Sequence, residues 1–250
     1  MDITYTVVFF LFGLLLGSFY NVVGLRVPKK ESIVTPPSHC TTCQKRLQPI
    51  DLIPVFSYIF LRGKCRQCGA KISSIYMLTE FVTGALFAFS YWKFGFTAEL
   101  VVALLFISLL VIINVSDIAY MLIPNKILLF FLPLFIVGRV FSPLSPWWDS
   151  IVGALVGFGI LYLIAVVSKG GMGGGDIKLF FLLGIVLGTL NSLLTLFLAS
   201  FIGMFVGIIV LKMRGQGRKT PLPFGPSIAI AAVIVYFYGE ALINWYWNIL

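Results

Sequence analysis

Long apolar blocks dominate this chain. The first runs from Ile3 to Leu25, and others follow at 76–92, 98–116, 126–141, 150–168, 177–190, 191–211 and 224–247. A helix that crosses a bilayer needs about 20 mostly apolar residues. On that template the pattern predicts an all-α polytopic membrane protein with about eight transmembrane helices. Only Gly188 to Asn191 suggests a break between the sixth and seventh blocks. The first block is too long for the core of a signal peptide. It opens on Asp2 instead of a basic stretch and lacks a small-x-small cleavage site, so it reads as a retained first helix. No lipidation motif is visible, and no internal repeat is obvious.

Composition agrees. The 250 residues are 60% hydrophobic and 11% charged, against roughly 25% charged in an average soluble domain. Such a chain cannot cover itself with a soluble surface.

Charge gives the orientation, because short loops rich in Lys and Arg stay in the cytoplasm. With 26–75 inside, Arg26, Lys29, Lys30, Lys45, Arg46, Arg62, Lys64, Arg66 and Lys71 are cytoplasmic. Alternation of eight spans then puts Lys126, Lys169, Lys178, Lys212, Arg214, Arg218 and Lys219 there too. Of the 18 basic residues, only Lys93 and Arg139 fall outside. Both termini come out extracytoplasmic. The net charge of +9 reads as anchoring to the lipid bilayer, and no nucleic-acid-binding motif accompanies it. The division expected is a first helix at 1–25, a cytoplasmic domain at 26–75 and a seven-helix membrane core at 76–250.

That cytoplasmic segment holds all four cysteines. Cys40, Cys43, Cys65 and Cys68 form two C-x2-C pairs separated by 21 residues. Two such pairs can set four thiolates at the corners of a tetrahedron, as structural zinc requires. The plainer alternatives are two disulfides or four unrelated buried cysteines. A reducing cytoplasm argues against disulfides, and a segment of this size gains from a metal staple. His39 reads as a neighbour of the site, not a ligand.

The chain has nine acids. Several read as loop or terminal charges. Glu80, Asp117 and Asp176 adjoin or enter spans on the cytoplasmic side, where an ionisable group is costly and marks a functional candidate. Asp117 ends the third span in NVSDIAYMLIPN. Asp176 opens the sixth, directly after a glycine run. If these two meet in a poorly solvated site they cannot both ionise easily, and the pair shares a proton. One carboxylate can then draw a proton from water while the other gives one to a peptide carbonyl. The plainer reading is that each acid caps a helix or pairs with a base such as Lys178.

The run itself, KGGMGGGD, holds Gly170, Gly171, Gly173, Gly174 and Gly175, too many for a stable helix. It lacks the Lys-Ser/Thr of a P-loop and the preceding strand of a dinucleotide site. A flexible linker is the bland reading. The sharper one is a substrate-binding loop in which Gly173, Gly174 and Gly175 let an extended peptide approach Asp176 by backbone pairing.

These residues resemble the bacterial type 4 prepilin peptidases, a family of intramembrane aspartyl proteases. GGMGGGDIKL (171–180) is similar to the family's GxGD signature, and DIAYMLIPN (117–125) to its first catalytic segment. GSFYNVVGLRVP (17–28), SHCTTCQKRL (38–47), IPVFSYIFLRGKCRQCGAKIS (53–73), YMLTE (76–80) and PFGP (223–226) follow its pattern in order. The resemblance implies that Asp117 and Asp176 are the catalytic pair. It also implies that the chain removes a basic leader from prepilins and pseudopilins, after a glycine, at the cytoplasmic side of the bacterial inner membrane. Many members also methylate the new N-terminus with S-adenosylmethionine, and the same is implied here. Glu80 matches a family acid, which leaves it either at the substrate, in support of methylation or cleavage, or simply paired with a basic residue. A different class, a transporter or channel, would instead use Asp117 and Asp176 as an ion site.

Overall fold

The computed structural model describes residues 2–169, 171–214 and 223–248. Gly170 of the glycine run and the basic residues Arg218 and Lys219 lie outside them. Among the described residues the chain is helical, with isolated β-bridges but no strand. The helices are α1 (Ile3–Arg26), α2 (Phe56–Phe60), α3 (Ser74–Phe94), α4 (Ala98–Tyr120), α5 (Asn125–Phe141), α6 (Asp149–Val167), α7 (Gly174–Arg214) and α8 (Gly225–Trp247). Five of them, α1, α4, α6, α7 and α8, are long and apolar enough to cross a membrane.

The chain divides into two compact units, Met1–Val115 and Ser116–Leu250. In the first, Asp2 caps α1 by accepting the Thr4 N–H at 2.9 Å, and Ser73 caps α3 through the Ile75 N–H. α1 packs along α3 through small residues: a methyl group at Gly17 would lie 2.9 Å from the Glu80 Cα. Close backbone approach of this kind is how helices associate where no hydrophobic drive between them exists. Tyr20 of α1 meets Ser108 of α4 at 2.6 Å in a buried hydroxyl pair. Between α1 and α3 the chain makes a 3₁₀ turn at Pro49–Leu52, the short α2 and two cysteine turns. An Arg66–Asp51 ion pair at 2.8 Å and a bond from the Tyr58 hydroxyl to the Ile72 carbonyl tie these pieces together.

In the second unit α6 packs on α7, and α7 in turn meets α5 and α8. α7 is interrupted at Gly188, whose φ of 77° and ψ of −176° are not helical. The break coincides with the one weak boundary in the apolar pattern. It strands carbonyls on one side and amides on the other, and both are satisfied by charged side chains. Arg139 of α5 is buried and donates to the Val186 carbonyl and, at 3.0 Å, to the Ser142 carbonyl. Asp149, at the start of α6, accepts the Thr189 N–H at 3.2 Å and its hydroxyl at 2.6 Å. A cation at the end of one helical segment and an anion at the start of the next both suit the helix dipole.

Candidate active site and metal centre

Asp117 sits in the last turn of α4 and is 6% exposed. Its Oδ2 accepts the N–H of Gly225, the first residue of α8, at 2.7 Å. Asp176 is the third residue of α7, and its carboxylate is hydrogen-bonded by the Gly173 backbone just before that helix. A carboxylate at this position commonly reaches back to the free amide at the helix start. The two carboxylates are close enough for their charges to act on each other. Each aspartate thus rests on a helix start that holds a negative charge well, within range of the other's charge. Both aspartates cap helix starts, the plainer of the readings the sequence left open.

The glycine run is arranged differently from the sequence expectation. Gly174 and Gly175 form the first turn of α7, where unpaired amides are normal and little helical structure is at stake. A methyl group at Gly173 would lie 2.9 Å from the Asp176 Oδ2, and one at Gly175 2.8 Å from the Ile123 Cβ. Gly174 has nothing within 4 Å of such a methyl group. Two glycines therefore make room for Asp176 and for the turn that follows α4, and the middle one is open. That turn passes through Met121, at φ 52°. It is fastened to α7 by a 3.0 Å bond from the Lys178 Nζ to the Asn125 Oδ1. The bond from Lys178 goes to Asn125, not to Asp176.

Glu80 lies in the first unit. It is buried and accepts the Val55 N–H at 2.7 Å. The structure also assigns work to three residues that sequence reasoning did not single out. Gly225 holds Asp117, while Arg139 and Asp149 close the break in α7. Faint signals existed: Gly225 lies inside PFGP, and Arg139 is one of two basic residues on the wrong side of the charge rule.

The cysteines do come together. Their Sγ atoms all lie within 4.8 Å of one another, with Cys40 and Cys68 at 3.8 Å, and all four are free thiols. Four sulfurs at zinc-bond length from a common centre stand about 3.8 Å apart, so the set fits a tetrahedral metal. Each pair is built on the same turn. The Cys40 N–H bonds the Lys45 carbonyl and the Gln44 N–H bonds the Cys40 carbonyl; Cys65 repeats this with Ala70 and Gly69. Gln44 and Gly69 take matching positive φ values of 57° and 71°. Bonds from the Cys43 and Thr42 backbone lower the Cys40 thiol to about 6. At Cys68 the Ala70 amide favours the thiolate, but lost hydration and the three neighbouring thiols push it up to about 11. His39 turns away, its Nδ1 3.1 Å from the Pro37 carbonyl.

Residues 11–94 match the bacterial peptidase A24 N-terminal domain, and residues 104–208 match the type IV leader peptidase family. A protein of Bacillus subtilis (strain 168) named prepilin leader peptidase/N-methyltransferase is 44% identical, covering 96% of this chain and 96% of its own. Proteins of the same name are 34% identical in Xanthomonas campestris and 32% identical in Pseudomonas aeruginosa. Each covers 94% of this chain and 91% of its own. No solved structure matches the chain. With both halves matched in order, and with relatives this similar along nearly its whole length, the chain belongs to the type IV leader peptidase family.

Proposed function

We propose that this chain is an intramembrane aspartyl endopeptidase that removes the basic leader of prepilins and pseudopilins and then N-methylates the new terminus. The observation that carries the proteolytic reading is that Asp117 and Asp176, each held at a helix start, stand close enough for their charges to act on each other. The shared proton of such a pair lets one carboxylate activate water while the other protonates the scissile carbonyl. Gly174, open at the front of α7, is where an extended substrate backbone comes closest to Asp176, with Gly173 and Gly175 at its sides. Ion transport would need no such glycine-lined approach.

The eight-pass arrangement follows if α3 and α5 also span, and if α7 crosses twice, turning at Gly188. The charge rule then places the cysteine centre and both aspartates on the cytoplasmic side of the inner membrane. Zinc, held by Cys40, Cys43, Cys65 and Cys68, would staple the segment between α1 and α3. S-adenosylmethionine would supply the methyl group. As a cation with an ammonium group it needs carboxylate or carbonyl acceptors, and Glu80 and Asn21 are of that chemistry.

The test is cleavage of a prepilin by the purified chain in detergent or liposomes, with products read by mass. Cleavage after the leader glycine, lost in Asp117→Asn and Asp176→Asn, supports the reading. An extra methyl mass only with S-adenosylmethionine supports the second activity. An intact wild type that cuts none of several prepilins, or an Asp176→Asn variant that still cuts, overturns it.

A further inference from the structure

We infer that Ser18, Asn21 and Glu80 form a buried binding site for an ammonium group. It lies wholly within the first unit and deepens the functional reading above, on which its choice of ligands rests. Gly17 brings α1 against α3 at Glu80. The Glu80 carboxylate there receives the Val55 N–H at 2.7 Å and interacts with the Ser18 hydroxyl. Both are neutral partners. Among the described residues this acid, 9% exposed, has no basic side chain at ion-pair distance.

One helical turn along, the Asn21 Nδ2 donates to the Tyr76 carbonyl at 3.3 Å. Its Oδ1 has no partner, although Asn21 is only 4% exposed. Buried carbonyl oxygens without a donor are rare in native structures, and buried carboxylates are usually paired with a cation. The two neighbouring deficits have one remedy. An ammonium group brings a positive charge and three N–H donors, and no acceptor that would itself go unsatisfied.

A purely structural role would have Glu80 do no more than pin Val55, which holds a positive φ of 63°. That accounts for the Val55 bond. It leaves the Asn21 oxygen and the missing cation unexplained.

Two ligands of the proposed reaction carry the required group: a lysine of the leader peptide, and S-adenosylmethionine through its amino group. Affinities distinguish them. The zinc-loaded chain and its Glu80→Gln variant, which still offers an acceptor to the Val55 N–H, are titrated with four probes. These are a leader peptide with lysine, the same peptide with norleucine, S-adenosylmethionine, and its analogue lacking the amino group. Removing one partner of a buried charge pair weakens binding by roughly thirtyfold. The expected result is a loss of that size for one ammonium-bearing probe, and none for its uncharged counterpart. Asn21→Leu, tested with the same probes, is expected to weaken that probe as well. Which pair responds names the source. Equal losses for charged and uncharged forms would mean that Glu80 only holds the fold, and unchanged affinity for every probe would mean that nothing binds there; either overturns the inference. Because binding needs no cleavage, a wild type that distinguishes the charged probes but cuts no prepilin would defeat the protease reading alone.

Discussion

The amide of Gly225 and the carboxylate of Asp117, 108 positions apart in the chain, are joined by a 2.7 Å hydrogen bond. The same glycine leaves no room for a side chain. A methyl group there would sit 2.7 Å from the Asp117 Oδ2 and 2.9 Å from its Cβ. Gly225→Ala therefore pushes the aspartate off its position. Misplacing a reacting group by about 1 Å costs on the order of 10²-fold in rate. Cleavage is expected to fall by about that factor while the protein still purifies as wild type does. The control is Gly159→Ala on α6, where a methyl group meets nothing within 4 Å; it should cut normally. Full activity in Gly225→Ala would show that the placement of Asp117 does not matter.

Asp117→Asn and Asp176→Asn keep an oxygen that can accept the Gly225 and Gly173 bonds, so both helix starts stay capped. What they lose is the proton-carrying group. Each is expected to reduce cleavage by several orders of magnitude. The double variant should be no worse than either single one, because groups that act as a unit are not additive. Single-turnover rates with one prepilin decide this. Losses that multiply would argue for two independent roles.

The elements and the acids could be read from the sequence because each is a local signal. Apolar blocks give helices, and an acid is conspicuous in a chain with only nine of them. The approach of Asp117 to Asp176 was not local, since 58 residues lie between them, and it had to be inferred from matching depth. Asp149 shows the opposite failure. It looks like an exposed loop charge, yet its carboxylate closes a helix 40 positions away. A charge at the end of a span reads the same whether it faces water or another helix. The end of the glycine run enters a helix that its composition does not announce: helix propensity counts against glycine in a helix interior, but Gly174 and Gly175 lie in the first turn, which has little hydrogen bonding to lose.

All four cysteines of the chain belong to one centre, so thiol reagents report on it without background. The purified protein is expected to carry about one zinc per chain. The thiols should react slowly until a chelator is added, and then all four should react. Cys65→Ser should lose the metal and make the segment between α1 and α3 sensitive to protease, while α6 to α8 stay protected. A protein that carries no metal, with thiols that react at once, contradicts this.

Arg139→Leu removes the donor that serves the Val186 carbonyl in a place water does not reach. An unsatisfied buried polar group costs about 1–3 kcal/mol. The variant is expected to unfold in detergent at lower temperature, with cleavage at low temperature nearly intact. Arg139→Lys should recover only part of the loss, since one ammonium replaces a two-pronged fork. Unchanged thermal stability in Arg139→Leu would mean that the break in α7 is satisfied some other way.

The break at Gly188 also has a consequence in time. A chain is made from its N-terminus, and parts that emerge first can fold first. Arg139 and Asp149, which lie on α5 and at the head of α6, have already been synthesised when Gly188 is added. The two charges are therefore waiting when the exposed ends of α7 arrive. Reversing that order, by a circular permutation that makes α7 before α5, would leave those ends bare in an apolar medium until their partners were synthesised. The permuted protein could keep every contact of the finished molecule and still assemble poorly.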